Sequence, residues 1–206
     1  MIDHNLYNSI IQVIEGIETD YQDNQGLLLT EDDFKCQIYK RVSSLMSIRE
    51  ETMDNNIYGS PIHTELPFYD DNDKLTIRPD ITIFDPKELS ILHGVRIYIK
   101  NNKLAYGKLP SKSCEFGGKT IVIEIKFYRG KSGISKKNLL SIEKDIVKIL
   151  NLLQRHNRPA SHNDILGIMV VFNKTDKKNR VLNRLITKYA SHSRLRVVYG
   201  TGKVNI

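Results

Sequence analysis

The sequence predicts an α/β fold: one mixed β-sheet with helices on both faces. Three observations carry this. Two helical periods open the chain, at residues 5–18 and 31–47. Three strand-like segments then follow with only turn-like or hairpin-like connections, which predicts an antiparallel meander. From residue 119 onward strands and helices alternate, the pattern of crossovers that add strands to a sheet. The predicted order is α-α-β-β-β-α-β-α-β, with no repeat, low-complexity segment or linker, so residues 1–206 are expected to form a single domain.

The elements follow in chain order. Leu6, Ile10, Val13, Ile14 and Ile17 recur at helical spacing, and "DNQG" at 23–26 ends the run. Thr30 and Asp33 have the spacing of a capping box, with Asp in place of the more usual Glu. Phe34, Ile38, Val42 and Leu45 then give an amphipathic helix to about residue 47. "IHTELPFY" (62–69) reads as a strand with Pro67 near its edge, and "DDND" as a turn. In "LTIRPDITIF" (75–84), Leu75, Ile77, Pro79, Ile81 and Ile83 alternate with Thr76, Arg78, Asp80, Thr82 and Phe84. Within 85–118, "VRIYIKNNKLAY" suggests a hairpin turning at Asn101–Asn102.

"KTIVIEIKF" (119–127) is a strand with Ile121, Ile123, Ile125 and Phe127 on one face and Thr120, Val122, Glu124 and Lys126 on the other. "RGKSGISKK" is a basic loop. Leu139, Ile142, Ile146, Ile149 and Leu153 make a strong helix over 138–153. "ILGIMVVF" (165–172) is an unbroken apolar run, read as a central strand buried on both faces. Asp176 is placed to cap a helix with Val181, Leu182, Leu185 and Tyr189 inside, and "LRVVYG" (195–200) is a closing strand.

Hydrophobic residues make up 40% and charged residues 27%, which excludes a disordered chain. No apolar run approaches the ~20 residues needed to cross a membrane, and the N-terminus lacks the basic and apolar regions of a signal peptide. Cys36 and Cys114 form neither a disulfide framework nor a metal-ligand spacing, so free thiols in the cytoplasm are expected. The charge is divided unevenly. Residues 1–99 hold 8 Lys and Arg against 18 Asp and Glu, a net of −10; residues 100–206 hold 23 against 6, a net of +17. A positive half of that size predicts a polyanionic partner, nucleic acid first. Arg129, Lys131, Lys136 and Lys137 around the basic loop, Lys144 on the following helix, and the stripe Lys177, Arg180, Arg184 and Lys188 are the phosphate-contacting candidates.

Glu124 and Lys126 stand two apart in an apolar strand, where desolvation is costly. By itself Glu-x-Lys is an ordinary salt-bridged strand. With Asp80 on a neighbouring strand, two carboxylates and a lysine gather on one sheet face. Mg²⁺ takes one or two carboxylates, several waters and substrate phosphate oxygens, so such a site suits it. Glu65 can reach the rim. His63, His93, His156, His162 and His192 have no metal-ligand spacing and most read as surface or loop residues, and "GTGK" at 200–203 lacks a phosphate-loop frame.

Pro79-Asp80 and Glu124-Ile125-Lys126, framed as "IRPDITIFD" and "IVIEIKF", resemble the motif of the PD-(D/E)xK nuclease superfamily, the restriction-endonuclease-like fold. The resemblance implies an αβββαβ core over about residues 30–172. An N-terminal helix and a C-terminal helix and strand are then additions, and residues 85–118 an insertion between paired strands. It implies Mg²⁺ on Asp80 and Glu124, with Mn²⁺ able to substitute, and Lys126 positioning the attacking water or the phosphate. It further implies an acidic residue from the first core helix, for which Glu31 is the candidate. A polar residue on the helix after the third strand is also implied, with Lys144 as candidate and Lys137 and Lys148 as neighbours. The activity implied is hydrolysis of DNA phosphodiester bonds, with RNA not excluded, in restriction, antiviral defence or repair. A homodimer or a partner subunit in a defence system is in keeping with it. The alternative is a catalytically inactive protein of the same fold that binds nucleic acid.

Overall fold

The structure, a computed structural model, describes residues 2–54, 56–69, 74–90, 95–100, 103–108, 115–156, 163–175 and 180–204. Its centre is a five-stranded mixed sheet whose spatial order follows the chain: β1 (Ile62–Thr64), β2 (Ile81–Phe84), β3 (Gly118–Tyr128), β4 (Asn163–Asn173) and β5 (Leu195–Thr201). β1–β2 and β2–β3 are antiparallel; β3–β4 and β4–β5 are parallel. The antiparallel pairs are joined across residues 65–80 and 85–117, which carry small two-stranded sheets and are longer than the turn-like connections expected, whereas each parallel pair is joined through a helix, as parallel pairing demands.

Four helices cover the sheet: α1 (His4–Asp23), α2 (Glu31–Ser43), α3 (Lys136–His156) and α4 (Arg180–Ala190). α1 and α2 pack on the face formed by Ile121, Ile123, Ile125 and Phe127 of β3 and by Leu166, Ile168, Val170 and Phe172 of β4. α3 and α4 cover Val122, Ile165, Met169 and Val171 on the other face. β4 is paired on both edges and buried from Ile165 through Phe172, which is why its sequence shows no polar alternation. Gly167 on this strand lies where a Cβ would come within 2.6 Å of Ile149 Cγ2 and 3.2 Å of Leu195 Cδ1, so the missing side chain lets α3 approach the sheet.

The expected capping box at the start of α2 is complete. Asp33 N–H donates to the Thr30 hydroxyl (3.0 Å), and the Asp33 carboxylate accepts from Thr30 N–H (2.8 Å). The helix ends at Ser43, short of the expected residue 47, and Leu45 is exposed because it has left the packed face. An aromatic knot holds α1 and α2 to the sheet: Tyr21 and Phe34 meet Phe172 edge-on at 5.6 and 4.8 Å between centroids, with Phe127 within 6.4 Å of both. The hairpin expected at Asn101–Asn102 has its flanking strands paired from Val95↔Lys108 to Lys100↔Lys103; the two turn residues lie outside the described residues.

Two further expectations are corrected. The segments 62–69 and 75–84 are not continuous strands. Each divides, with Ile62–Thr64 and Ile81–Phe84 in the central sheet and Phe68–Tyr69 paired with Leu75–Ile77 in a separate two-stranded sheet. Prolines 67 and 79 lie at the breaks and have no N–H to extend a ladder, and Glu65 turns the first chain with a left-handed φ of 57°. Val181 is half exposed, not inside, because α4 turns Leu182, Leu185 and Tyr189 to the core. His63, within the expected strand, lies in β1 with its ring stacked on Phe84 at 5.0 Å. Asp176 and the residues preceding α4 lie outside the described residues. No helix among the described residues is long and apolar enough to cross a membrane.

Gly167→Ala is expected to lower the unfolding free energy by about 1–3 kcal/mol, the cost of overpacking a filled core. Urea denaturation is the check, with an unchanged slope indicating that only the native packing has been disturbed.

Candidate active site

β3 outruns β2. The β2–β3 ladder covers only Thr120 to Ile123, opposite Phe84 to Ile81, whereas β3 continues to Tyr128 beside β4. On the abandoned edge, the amides of Ile125 and Phe127 have no strand partner, and a backbone N–H left without an acceptor is expensive. Both are satisfied by carboxylates. Ile125 N–H donates to Asp80 Oδ2 at 2.7 Å, and Phe127 N–H donates to Glu31 Oε2 at 2.9 Å. Asp80 is the residue just before β2, and its carbonyl accepts from Glu65 N–H at 3.3 Å, so it is held through both backbone and side chain. Glu31 is the first residue of α2, fixed by the capping box behind it and by Phe34 in the aromatic knot.

Asp80, Glu124 and Lys126 lie close enough at this edge to feel one another's charge, Asp80 by a different route from the one expected. Glu124 and Lys126 share the α3-side face of β3 through strand alternation. Asp80 joins from the broken end of β2, where its carboxylate takes the place of the next ladder bond. Lys126 Nζ lies 2.8 Å from Glu124 Oε1 and 3.4 Å from Asp145 Oδ2. Lys35 of α2 lies 3.8 Å from Asp80 Oδ1, and bonds Glu65 at 2.9 Å and Asp32 at 3.1 Å. Glu65 thus reaches the rim through Lys35.

Asp145 and Lys35 were missed by the sequence reading. Asp145 falls in the apolar stripe Ile142, Ile146, Ile149 at the i+3 position from Ile142, so a carboxylate on a buried helix face was the available signal. Lys144, the expected polar residue of this helix, is exposed on the opposite side, and Lys137 is exposed too. Lys148 bonds Asp145 Oδ1 at 2.7 Å. Lys35 follows Glu31 by one helical turn, which puts both at the site.

Burial dominates the electrostatics. It pushes Glu124 up to about 6, with Asp80 and Asp145 adding to the rise and Lys126 opposing it. Burial also raises Asp80, against the Ile125 N–H and Lys126, while Glu31 adds to the rise. For Lys126, desolvation acts downward, but the Glu124 carboxylate, aided by Asp145 and Glu31, more than reverses it and holds the ammonium charged. The Tyr128 hydroxyl beside them is pushed up to about 12 by burial. Four carboxylates, Glu31, Asp80, Glu124 and Asp145, thus surround Lys126, with Lys35 and Lys148 on the flanks.

Among the described residues, no group of three or more His, Cys, Asp or Glu is arranged to hold a metal ion by itself. The oxygen donors nearest to such a role are Asp80 and Glu124. Asp80 Oδ2 is occupied by an amide, whereas Asp80 Oδ1 and Glu124 Oε2 have no hydrogen bond among the described residues. Two hard carboxylate oxygens with an excess of negative charge around them fit a small hard cation that keeps several waters.

Beyond the site, β3 runs into the basic loop, which turns at Gly130–Gly133, where Gly133 takes a left-handed φ of 73°. The Arg129 guanidinium bonds the Leu29 carbonyl at 2.9 Å, tying this loop to the start of α2. Ser135 and Asn138 bond reciprocally at the head of α3, through Asn138 Oδ1 (3.0 Å) and Ser135 Oγ (3.2 Å). Lys131, Lys136, Lys137 and Arg184 are exposed. Lys188 is exposed but paired with Glu143 at 2.8 Å. Lys177 and the Arg180 side chain lie outside the described residues.

The folded protein binds the Glu124 proton more tightly than the unfolded chain, because the pKa rises from 4.5 to about 6. Stability contributed at this position is therefore greatest below pH 4.5 and declines as the pH rises to about 6. With a chelator present, the unfolding free energy of the wild type relative to Glu124→Gln is expected to fall by about 2 kcal/mol from about pH 4 to about pH 7. Urea midpoints across that range read the difference, and a flat profile would mean the carboxylate is solvated.

Compared with family models, with curated proteins and with solved structures, the chain matches none, so the geometry of these side chains is what bears on function.

Proposed function

We propose that the protein is a divalent-metal-dependent nuclease that hydrolyses phosphodiester bonds, with DNA as the first candidate substrate and RNA as the second. The observation that carries this reading is the meeting of Asp80, Glu124 and Lys126 at the edge where β3 outruns β2, with Glu31 beside them. It is supported by the resemblance of Pro79-Asp80 and Glu124-Ile125-Lys126 to the PD-(D/E)xK motif and by the antiparallel-then-parallel strand order, which agrees with an αβββαβ core.

In this reading Asp80 and Glu124 hold Mg²⁺, or Mn²⁺ in its place. The ion supplies a Lewis acid that offsets the charge building on the phosphate. The chain's own residues do the rest. The Ile125 amide fixes the Asp80 carboxylate, so one of its oxygens is directed and the other is available. Lys126 presents a fully charged ammonium next to the carboxylates, able to hold a phosphate oxygen or the attacking water as a point charge. Glu31 keeps the strand edge closed and adds negative charge to the site. The basic loop 129–137, which emerges from the same end of β3, supplies phosphate contacts through Arg129, Lys131, Lys136 and Lys137; Lys144 and Arg184 extend the basic surface. A cytoplasmic role in restriction, antiviral defence or repair, as a homodimer or with a partner subunit, follows from the resemblance.

A second reading has its own supporting observation. Lys126 already bonds Glu124, and Lys35 faces Asp80, so each of these two carboxylates already has one of the chain's own cations beside it. That arrangement would also serve an inactive nucleic-acid-binding protein of this fold, which needs the ion pairs only for structure.

Incubation with plasmid, linear and single-stranded DNA and with RNA, with Mg²⁺ or with a chelator, separates the two. Metal-dependent cutting is expected. Asp80→Ala, Glu124→Ala and Lys126→Ala should each reduce it by roughly 10²–10³-fold or more, the scale of losing one electrostatic stabiliser of the transition state. Nucleic-acid binding should persist in these variants and weaken steeply with salt. Binding without cutting on every substrate would favour the second reading; cutting retained in Asp80→Ala would reject the site.

A further inference from the structure

A metal ion on Glu124 would compete with Lys126 for that carboxylate. The ammonium sits 2.8 Å from Glu124 Oε1. An ion taking up Glu124 draws off the negative charge that keeps Lys126 in place. A buried ammonium deprived of its counter-charge is strongly unfavourable, and the Lys126 side chain is only 19% exposed. Metal binding at Glu124 is therefore coupled to where the lysine goes.

Asp145 answers this. It projects from the buried face of α3 with its side chain 11% exposed, and its two oxygens are divided. Oδ1 is bonded by Lys148 at 2.7 Å, and Oδ2 stands 3.4 Å from Lys126 Nζ. The ammonium thus lies between two acceptors, close to one and within reach of the other. With Asp145 Oδ2 already 3.4 Å away, only a small change of the lysine side chain would be needed to complete that second bond. Lys148, 43% exposed, holds Asp145 from the solvent side and keeps Oδ2 turned inward.

We infer that Asp145 is a positioning residue that receives the Lys126 ammonium when a divalent cation occupies Glu124, so that the lysine stays charged and inside the site. This rests on the reading of Asp80 and Glu124 as metal ligands. It assigns α3 a part in metal loading that differs from contact with substrate. Without Asp145, the cation and the lysine draw on the same carboxylate, and the cation binds less well.

The test is Mn²⁺ affinity, followed through loss of the free-ion paramagnetic resonance signal, without nucleic acid or turnover. Wild type, Asp145→Asn, Asp145→Glu, Lys126→Met and the double variant Lys126→Met/Asp145→Asn are compared, each checked for folding by circular dichroism and urea midpoint. Asp145→Asn is expected to weaken Mn²⁺ binding about tenfold, within the range of coupling between contacting residues. Asp145→Glu, which keeps the acceptor, should remain near wild type. In the Lys126→Met background the Asp145→Asn change should have no further effect, since there is no ammonium left to receive. Equal weakening in both backgrounds would mean that Asp145 acts only through its charge and would overturn the inference, as would unchanged affinity in Asp145→Asn. Failure of the wild type to bind Mn²⁺ at all would instead sink the metal-site reading beneath it. If Asp145→Asn does not fold, Asp145→Ser takes its place in the same cycle, with the same outcomes.

Discussion

A strand that runs five residues past its neighbour is the constraint on which the site depends. β3 has β4 along its whole length, but β2 only as far as Ile123. Up to Ile123 the ladder to β2 satisfies this edge of β3; at Ile125 and Phe127 side chains do so. Asp80 and Glu31 fill that need, and they come from elements on either side of the gap. The proline before Asp80 has no N–H to continue the ladder, and so helps to open the gap that its neighbour's carboxylate then fills. Two acidic groups are thereby anchored to backbone next to a third, Glu124, which like charges would otherwise keep apart.

Anchoring carries an electrostatic cost. Each carboxylate loses water, and burial moves Asp80 and Glu124 toward the protonated form. Lys126 offsets part of this, and Lys35 and Lys148 hold the margins. A cluster tuned for stability alone would replace such groups with apolar residues of similar volume, often at no loss. This cluster instead keeps its charges partly buried, Glu124, Lys126 and Asp145 each with less than a fifth of the side chain exposed.

Much of this was legible in the residues. The helices, the hairpin, the central strand at 165–172 and the capping box at Thr30 were all readable, since each depends on local periodicity or on a short pattern. Glu124 and Lys126 were legible because strand alternation fixes their common face. The breaks at residues 65–67 and 78–80 were not, because alternation of apolar residues continued across them, and only the pairing partners reveal that the chain changes sheet. Asp80 consequently reached the site from a strand end, not from within a strand as alternation suggested. Asp145 was hidden among more numerous lysines on its helix; its significance lies in its phase relative to Ile142 and Ile146, not in its type. Lys35 depended on a contact with Glu65 and Asp80 that no local pattern encodes.

The four carboxylates around Lys126 come from residues 31, 80, 124 and 145, a span of more than half the chain. Contacts so distant in sequence form late, after the loops between them have closed. During synthesis, a nascent chain that has not yet released α3 from the ribosome holds these acids scattered along an incomplete sheet. The cluster therefore comes together only once the chain through α3 has been made, and no shorter piece of the polypeptide carries it whole.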